Sequence, residues 1–279
     1  GAIHSDGRLT AVGVRVLSRG PGPFGIIETY HPYLAQLERI WDEGRGAVHV
    51  ERGANVAASQ DANRKTFAQA NDSLDAFCLE SGFVYSVFVE HAVGRGEATR
   101  QRFARSGSAL TYVGADLEDA AIDAAMDEQR AGRLPADMRF VRNADIGRSD
   151  ILVERLTAWD LSCEGAVMLV GNGFHEVRDQ PDERMVEVFR GYEEAGFVLL
   201  FTEESALSVD DLLETAWNTY HGAFRYVHER SGQTLRPAAA GPPSQLGAPL
   251  PASWTECAVL AGYVRVAAHS KRGRTIHPY

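Results

Sequence analysis

One stretch constrains this chain more than any other. The apolar run Val84-Tyr85-Ser86-Val87-Phe88-Val89 leads into Glu90-His91-Ala92-Val93-Gly94-Arg95-Gly96-Glu97, and a second short run, Leu110 to Ala115, ends in Asp116. A buried strand that breaks into Gly-x-Gly and enters a helix lets the backbone approach a ligand where a Cβ would collide. An acid closing the next strand suits a carboxylate that accepts hydrogen bonds from both hydroxyls of a ribose. The two together predict a cradle for a nucleoside cofactor.

The acid at the end of the first strand separates two cofactor classes. A dinucleotide loop reads Gly-x-Gly-x-x-Gly against a pyrophosphate, which an anion such as Glu90 at the loop entrance would repel. Position 99, where the third glycine of that pattern belongs, is Thr. S-adenosylmethionine carries no phosphate, and its sulfonium and amino group are cationic, so an acidic loop suits it better.

Glu90-x-Ala92-x-Gly94-x-Gly96 resembles the first motif of class I S-adenosylmethionine-dependent methyltransferases, usually (Asp/Glu)-x-Gly-x-Gly-x-Gly. Ala92 stands where that family has its first glycine, which crowds the methionine end of the cofactor or forces a backbone adjustment. The resemblance implies cofactor contacts from Glu90, Ala92, Gly94, Gly96, Asp116 and Leu117. It adds Asp145 and Ile146 after the third strand and Gly171 and Asn172 after the fourth. Asp145 would bracket the adenine amino group; capping a helix is its other reading.

From Gly82 onward the chain alternates strand and helix, the pattern of a mostly parallel sheet covered on both faces. Strands are expected at 84–89, 110–115, 138–142, 166–170 and 197–201, with helices at 97–104, 120–130, 183–194, 209–220 and 254–262. A terminal hairpin, 263–268 with 274–277, would complete a seven-stranded, Rossmann-like methyltransferase sheet. Residues 1–80 read instead as an N-terminal helical cap, with an amphipathic helix from Tyr33 to Trp41 and a second from Asp61 to Leu79 whose Phe67, Ala70, Leu74 and Phe77 share a face. The core domain is then 81–279. Asn55, Ser59 and Asn63 of the cap are candidates for lining a substrate cavity or for capping helices.

Composition narrows the partners. Lys and Arg total 28 against 38 Asp and Glu, a net charge of −10, which disfavours nucleic acid because a phosphate backbone needs a concentrated cationic face. The cluster Lys271-Arg272-Gly273-Arg274 reads as a solvated hairpin tip. Cys78, Cys163 and Cys257 are widely spaced in apolar contexts, as buried thiols in a reducing compartment would be. With no apolar run near ~18 residues and no signal-peptide profile, a soluble cytoplasmic protein without a membrane partner is expected.

The chemistry should lie beyond the fourth and fifth strands, since ligands in such sheets sit at the carboxyl ends. Gly171-Asn172-Gly173-Phe174-His175-Glu176-Val177-Arg178 puts a histidine beside a glutamate there, as general base, metal ligand or substrate anchor. His221 and His228 lie seven apart in a later imidazole-rich segment, and with His175 they supply enough nitrogen for a two-histidine site with open positions. Trp217, Phe224 and Tyr226 read as core or pocket wall.

Residues 82–240 also resemble the C-methyltransferases of bacterial natural-product assembly, which include β-C-methyltransferases of α-keto acids and metal-dependent methyltransferase domains of polyketide loading modules. The resemblance rests on Glu90-His91 to Arg100, on Gly171 to Arg178 and on Trp217 to Arg236. It implies a small keto-carboxylate substrate, or a malonyl unit on a carrier protein, methylated at its enolate carbon. A mononuclear divalent metal (Fe, Mn or Zn) held by His175 and His221 would polarise the carbonyl. Glu176 or His228 would take the proton, and Arg178 and Arg225 would hold the carboxylate.

Overall fold

The structure, a computed structural model, describes residues 1–17, 31, 35–43, 52–203, 236–237 and 251–266, with the side chains of 15–17 and 52–62 outside that description. Along the chain run α1 (Ala11–Leu17), α2 (Leu37–Glu43), α3 (Arg52–Ser81), β1 (Val87–His91), α4 (Glu97–Ser106) and β2 (Thr111–Ala115). Then come α5 (Asp119–Arg130), β3 (Arg139–Val141), α6 (Ser149–Ala158), β4 (Val167–Gly171), α7 (Asp182–Glu194), β5 (Val198–Thr202) and α8 (Trp254–Leu260).

The five strands form one parallel sheet in the order β3-β2-β1-β4-β5. β1 lies at its centre, with Val89 opposite both Val113 of β2 and Met168 of β4. Side-chain alternation divides the core into two layers. Val87, Val89, Met168 and Val170 pack with α6, α7 and α8 through Leu152, Leu156, Phe189, Tyr192 and Trp254. Phe88, Tyr112, Val167 and Leu169 pack on the other side with Phe67, Ala70 and Leu74 of α3, Ala98 of α4 and Ile122 of α5.

The helix α3 is longer than the sequence pattern suggests, yet Phe67, Ala70 and Leu74 bury as expected. Burial of Phe67 and Leu74 contributes roughly 2 kcal/mol each. Ion pairs from Asp75 to Arg102 and from Asp72 and Asp75 to Arg105 tie α3 to α4. Phe67 lies against Gly171 at the end of β4, where an added Cβ would run into its ring.

Three expectations need correction. Residues 84–86 precede β1, because pairing starts only where Thr111 meets Val87. Helix α6 was not foreseen, although a parallel β3 to β4 crossover requires a covering element. Residues 263–266 are not strand, and 267–279 lie outside the described residues, so five strands are seen of the seven expected.

Candidate functional site

The loop after β1 takes its shape from three backbone anchors. Ala92 turns left-handed (φ 61), Val93 N–H donates to Ala115 O at 3.0 Å, and Gly94 N–H donates to Asp116 Oδ2 at 3.0 Å. Gly94 (φ 50) and Gly96 (φ 77) hold the left-handed conformations that only glycine adopts freely, and α4 begins at Glu97.

Glu90 is turned onto this loop rather than out toward a ligand. Its oxygens accept the amides of Ala98 (3.2 Å) and Thr99 (2.7 Å), two of the unsatisfied donors in the first turn of α4. Alternation along β1 puts it on the same side as Phe88, facing α4. Burial raises its carboxyl to about 7, against the hydrogen bonds from Thr99 and Ala98. On the opposite face His91 is buried and lowered to about 3 by desolvation.

Asp116 closes β2 with Oδ1 on the amide of Glu118 (3.0 Å) and Oδ2 on that of Gly94. Burial raises its carboxyl, opposed by those two amides. Each oxygen keeps a further lone pair, enough to receive two hydroxyls. Leu117 beside it is 49% exposed, an apolar surface at the lip of the cradle.

After β3, Asp145 Oδ1 accepts Gly147 N–H at 2.8 Å, so it builds a turn and does not cap α6. Ile146 is buried, and Tyr192 O–H donates to its carbonyl at 3.0 Å. Arg184 donates to Gly147 O at 2.9 Å, so α7 fixes both carbonyls of this loop.

Beyond β4, Asn172 turns left-handed (φ 55) with its amide on Thr202 O, and Phe174–Glu176 form a 3₁₀ turn. A methyl group added at Gly173 would sit 3.2 Å from the Ala92 Cβ, so this turn and the cofactor loop are neighbours. His175 is only 5% exposed. Its Nδ1 lies 2.8 Å from Glu203 Oε2, and its Nε2 lies 3.6 Å from Glu176 Oε1. Glu203 Oε1 accepts the amides of Gly173 (2.6 Å) and Phe174. Glu203, just past β5, was missed by the sequence reading; only the β4–β5 pairing brings it to His175.

With Glu203 as acceptor, His175 carries its proton on Nδ1, which makes Nε2 the basic nitrogen of the ring. Glu176 is beside Nε2, and Arg178 is exposed. His221, Arg225 and His228 lie outside the described residues. Among the described residues no group of three or more His, Cys, Asp or Glu side chains could hold a metal ion. No helix among them is long and apolar enough to cross a membrane.

No protein-family model and no curated protein matches the sequence. Solved structures do match. A protein from Nostoc punctiforme assigned as an O-methyltransferase is 11% identical over 94% of this chain and 74% of its own, with a TM-score of 0.56. An O-methyltransferase family protein from Burkholderia thailandensis is 17% identical over 77% of this chain and 63% of its own, TM-score 0.48. An S-adenosylmethionine-dependent methyltransferase from Clostridium acetobutylicum is 14% identical over 50% of this chain and 51% of its own, TM-score 0.37. The chain thus spans about half to three quarters of the length of these three structures, and with the first of them it shares the fold.

Proposed function

We propose that this chain is an S-adenosylmethionine-dependent methyltransferase whose general base is His175, oriented by Glu203. The observation that carries the reading is the 2.8 Å contact between His175 Nδ1 and Glu203 Oε2, on a turn that neighbours the Gly94–Gly96 loop. The cradle fits the cofactor: two left-handed glycines open the backbone, Asp116 has lone pairs for ribose hydroxyls, and Leu117 offers apolar surface toward an adenine. Glu90 would serve the cofactor through the loop it holds.

When bound, S-adenosylmethionine supplies a methyl group on a sulfonium, which leaves as a neutral thioether. The chain's task is to position the nucleophile and take its proton. His175 Nε2 accepts that proton as the nucleophile bonds to the methyl carbon. Glu203 stabilises the imidazolium, a contribution of the size that orienting carboxylates make in other histidine-based sites.

A second reading is methylation of the enolate carbon of a small α-keto acid, free or as a carrier-bound malonyl unit, with a divalent metal on His175 and His221. The carboxylate behind His175 supports it, since metal-bound imidazoles commonly donate their other nitrogen to such a partner. One experiment separates the two. The purified protein is incubated with labelled cofactor and either hydroxylated aromatic or α-keto acid acceptors, with and without a chelator. Chelator-resistant methylation of a heteroatom supports the base reading; chelator-sensitive methylation of carbon supports the metal. Absence of cofactor binding by calorimetry overturns both.

A further inference from the structure

We infer that Glu128 is a positioning residue for cofactor binding: its buried carboxylate holds Arg95 and, through it, the Gly94–Gly96 loop in the shape that receives the ligand. The inference rests on reading residues 90–96 as a cofactor cradle and adds to that cradle a group on α5 that acts without touching the ligand.

Arg95 stands between two left-handed glycines, Gly94 at φ 50 and Gly96 at φ 77. Glycine has no side chain to restrain its own backbone, so such a loop is ordered only by bonds made to its surroundings. Main-chain bonds secure the two glycines: Gly94 N–H donates to Asp116 Oδ2 at 3.0 Å, and Gly96 N–H donates to Val93 O at 2.7 Å. Arg95 supplies the side chain between them, and its Nη2 donates to Glu128 Oε1. A loop ordered in advance loses less freedom when the ligand arrives, which raises affinity.

Glu128 is suited to be the fixed end of that link. It lies in the last turn of α5, the helix that begins just after Asp116, and its side chain is 4% exposed. Its Oε2 accepts Arg133 Nε, and Arg100 Nη1 of α4 lies 3.6 Å from the same oxygen. The bond from Arg133, then that from Arg95, lowers the carboxyl to about 2 against desolvation, so the anion persists at any ordinary pH. A buried carboxylate needs a cationic partner, and Arg133 already supplies one. Arg95 is not required for that balance, so what its bond adds is a tie between the loop and α5.

The segment beyond α5 is held independently of this carboxylate. Arg133 N–H donates to Glu128 O at 2.9 Å, and Gln129 Nε2 donates to Pro135 O at 2.9 Å and to Met138 O at 2.8 Å. Leu134, buried there, meets Gly96, where an added Cβ would lie 2.8 Å from its Cδ1. Neutralising Glu128 therefore releases Arg95 while leaving in place the floor on which the loop rests.

Four proteins test this: the natural chain, Arg95→Met, Glu128→Gln and the double variant. Affinity for S-adenosylhomocysteine is read by calorimetry and protection of the Gly94 and Gly96 amides by hydrogen exchange. Each single substitution should lower both affinity and amide protection at least fivefold. Once residue 95 is methionine, Glu128→Gln should cost less than a further twofold in either, because the tie is already cut. Unchanged affinity in Glu128→Gln, or an equal loss with and without Arg95, assigns Glu128 to helix packing and overturns the proposal. A loss confined to Arg95→Met makes that arginine a direct ligand contact and overturns it equally. Where Glu128→Gln does not fold, Glu128→Asp takes its place, with the charge kept on a shorter arm and the same dependence on Arg95 expected; failure of both to fold shows a structural role and overturns the proposal. If the natural chain binds no S-adenosylhomocysteine, the cradle reading falls, and coupling of the two substitutions in amide protection still decides whether Glu128 holds the loop.

Discussion

Glu203 Oε2 sits 2.8 Å from His175 Nδ1 while its other oxygen receives the amides of Gly173 and Phe174. One carboxylate, 2% exposed, therefore both shapes the turn after β4 and sets which nitrogen of the histidine carries the proton.

Two substitutions separate these roles. Glu203→Gln keeps an oxygen for the two amides but removes the charge facing the imidazole, so kcat should fall about 10²-fold with little loss of stability. Glu203→Ala leaves two buried amides without an acceptor, and should lose the same activity plus roughly 2 kcal/mol in denaturant unfolding. A Glu203→Gln protein with normal kcat would remove Glu203 from the chemistry.

Asp116 should govern cofactor affinity. Its hydrogen bonds to ribose hydroxyls would each be charge-assisted, and its Oδ2 also anchors the Gly94 amide. Asp116→Asn should raise the Kd for S-adenosylhomocysteine about 10- to 100-fold, measured by calorimetry, while leaving the kcat at saturating cofactor within a few-fold.

Local pattern carried much of this structure. The alternation of apolar runs located every described strand to within three residues, and the i, i+3, i+7, i+10 spacing of Phe67, Ala70, Leu74 and Phe77 gave the buried face of α3. What it lacked was partner information. Val84 and Tyr85 have strand propensity as good as that of Val87, but only the start of β2 decides where pairing begins. The dyad escaped because His175 and Glu203 are 28 residues apart and meet only through β4–β5 adjacency. Helix α6 could have been read from Leu152 and Leu156, a four-residue step inside a crossover that needs a helix.

Arg236 was equally illegible. Fully buried, it pairs with Asp182 at 2.5 Å, donates to Ala252 O at 2.9 Å and to Gln180 O, and stacks on Trp254 at 5.9 Å. It fastens the segment carrying α8 to the start of α7. Arg236→Ala leaves the buried Gln180 carbonyl without this donor and the half-exposed Asp182 without its cation, and should cost about 2 kcal/mol. Arg236→Lys, which reaches fewer of them, should fall between. Denaturant unfolding followed by tryptophan fluorescence measures both.

Glu90 makes the fold sensitive to pH. Desolvation raises its carboxyl from 4.5 to about 7, so the folded state binds a proton that the unfolded chain has already released between those values. Stability tied to this group is complete below about 4.5 and is lost as the pH rises through about 7. The span corresponds to something on the order of 3 kcal/mol. Glu90→Gln mimics the protonated form and cannot titrate. Relative to that variant, the natural chain should lose unfolding free energy between pH 5 and pH 7.5 and then level off. Parallel stability curves for the two proteins across that range would show that the amides of Ala98 and Thr99 keep Glu90 ionised throughout, and that desolvation does not dominate at the start of α4.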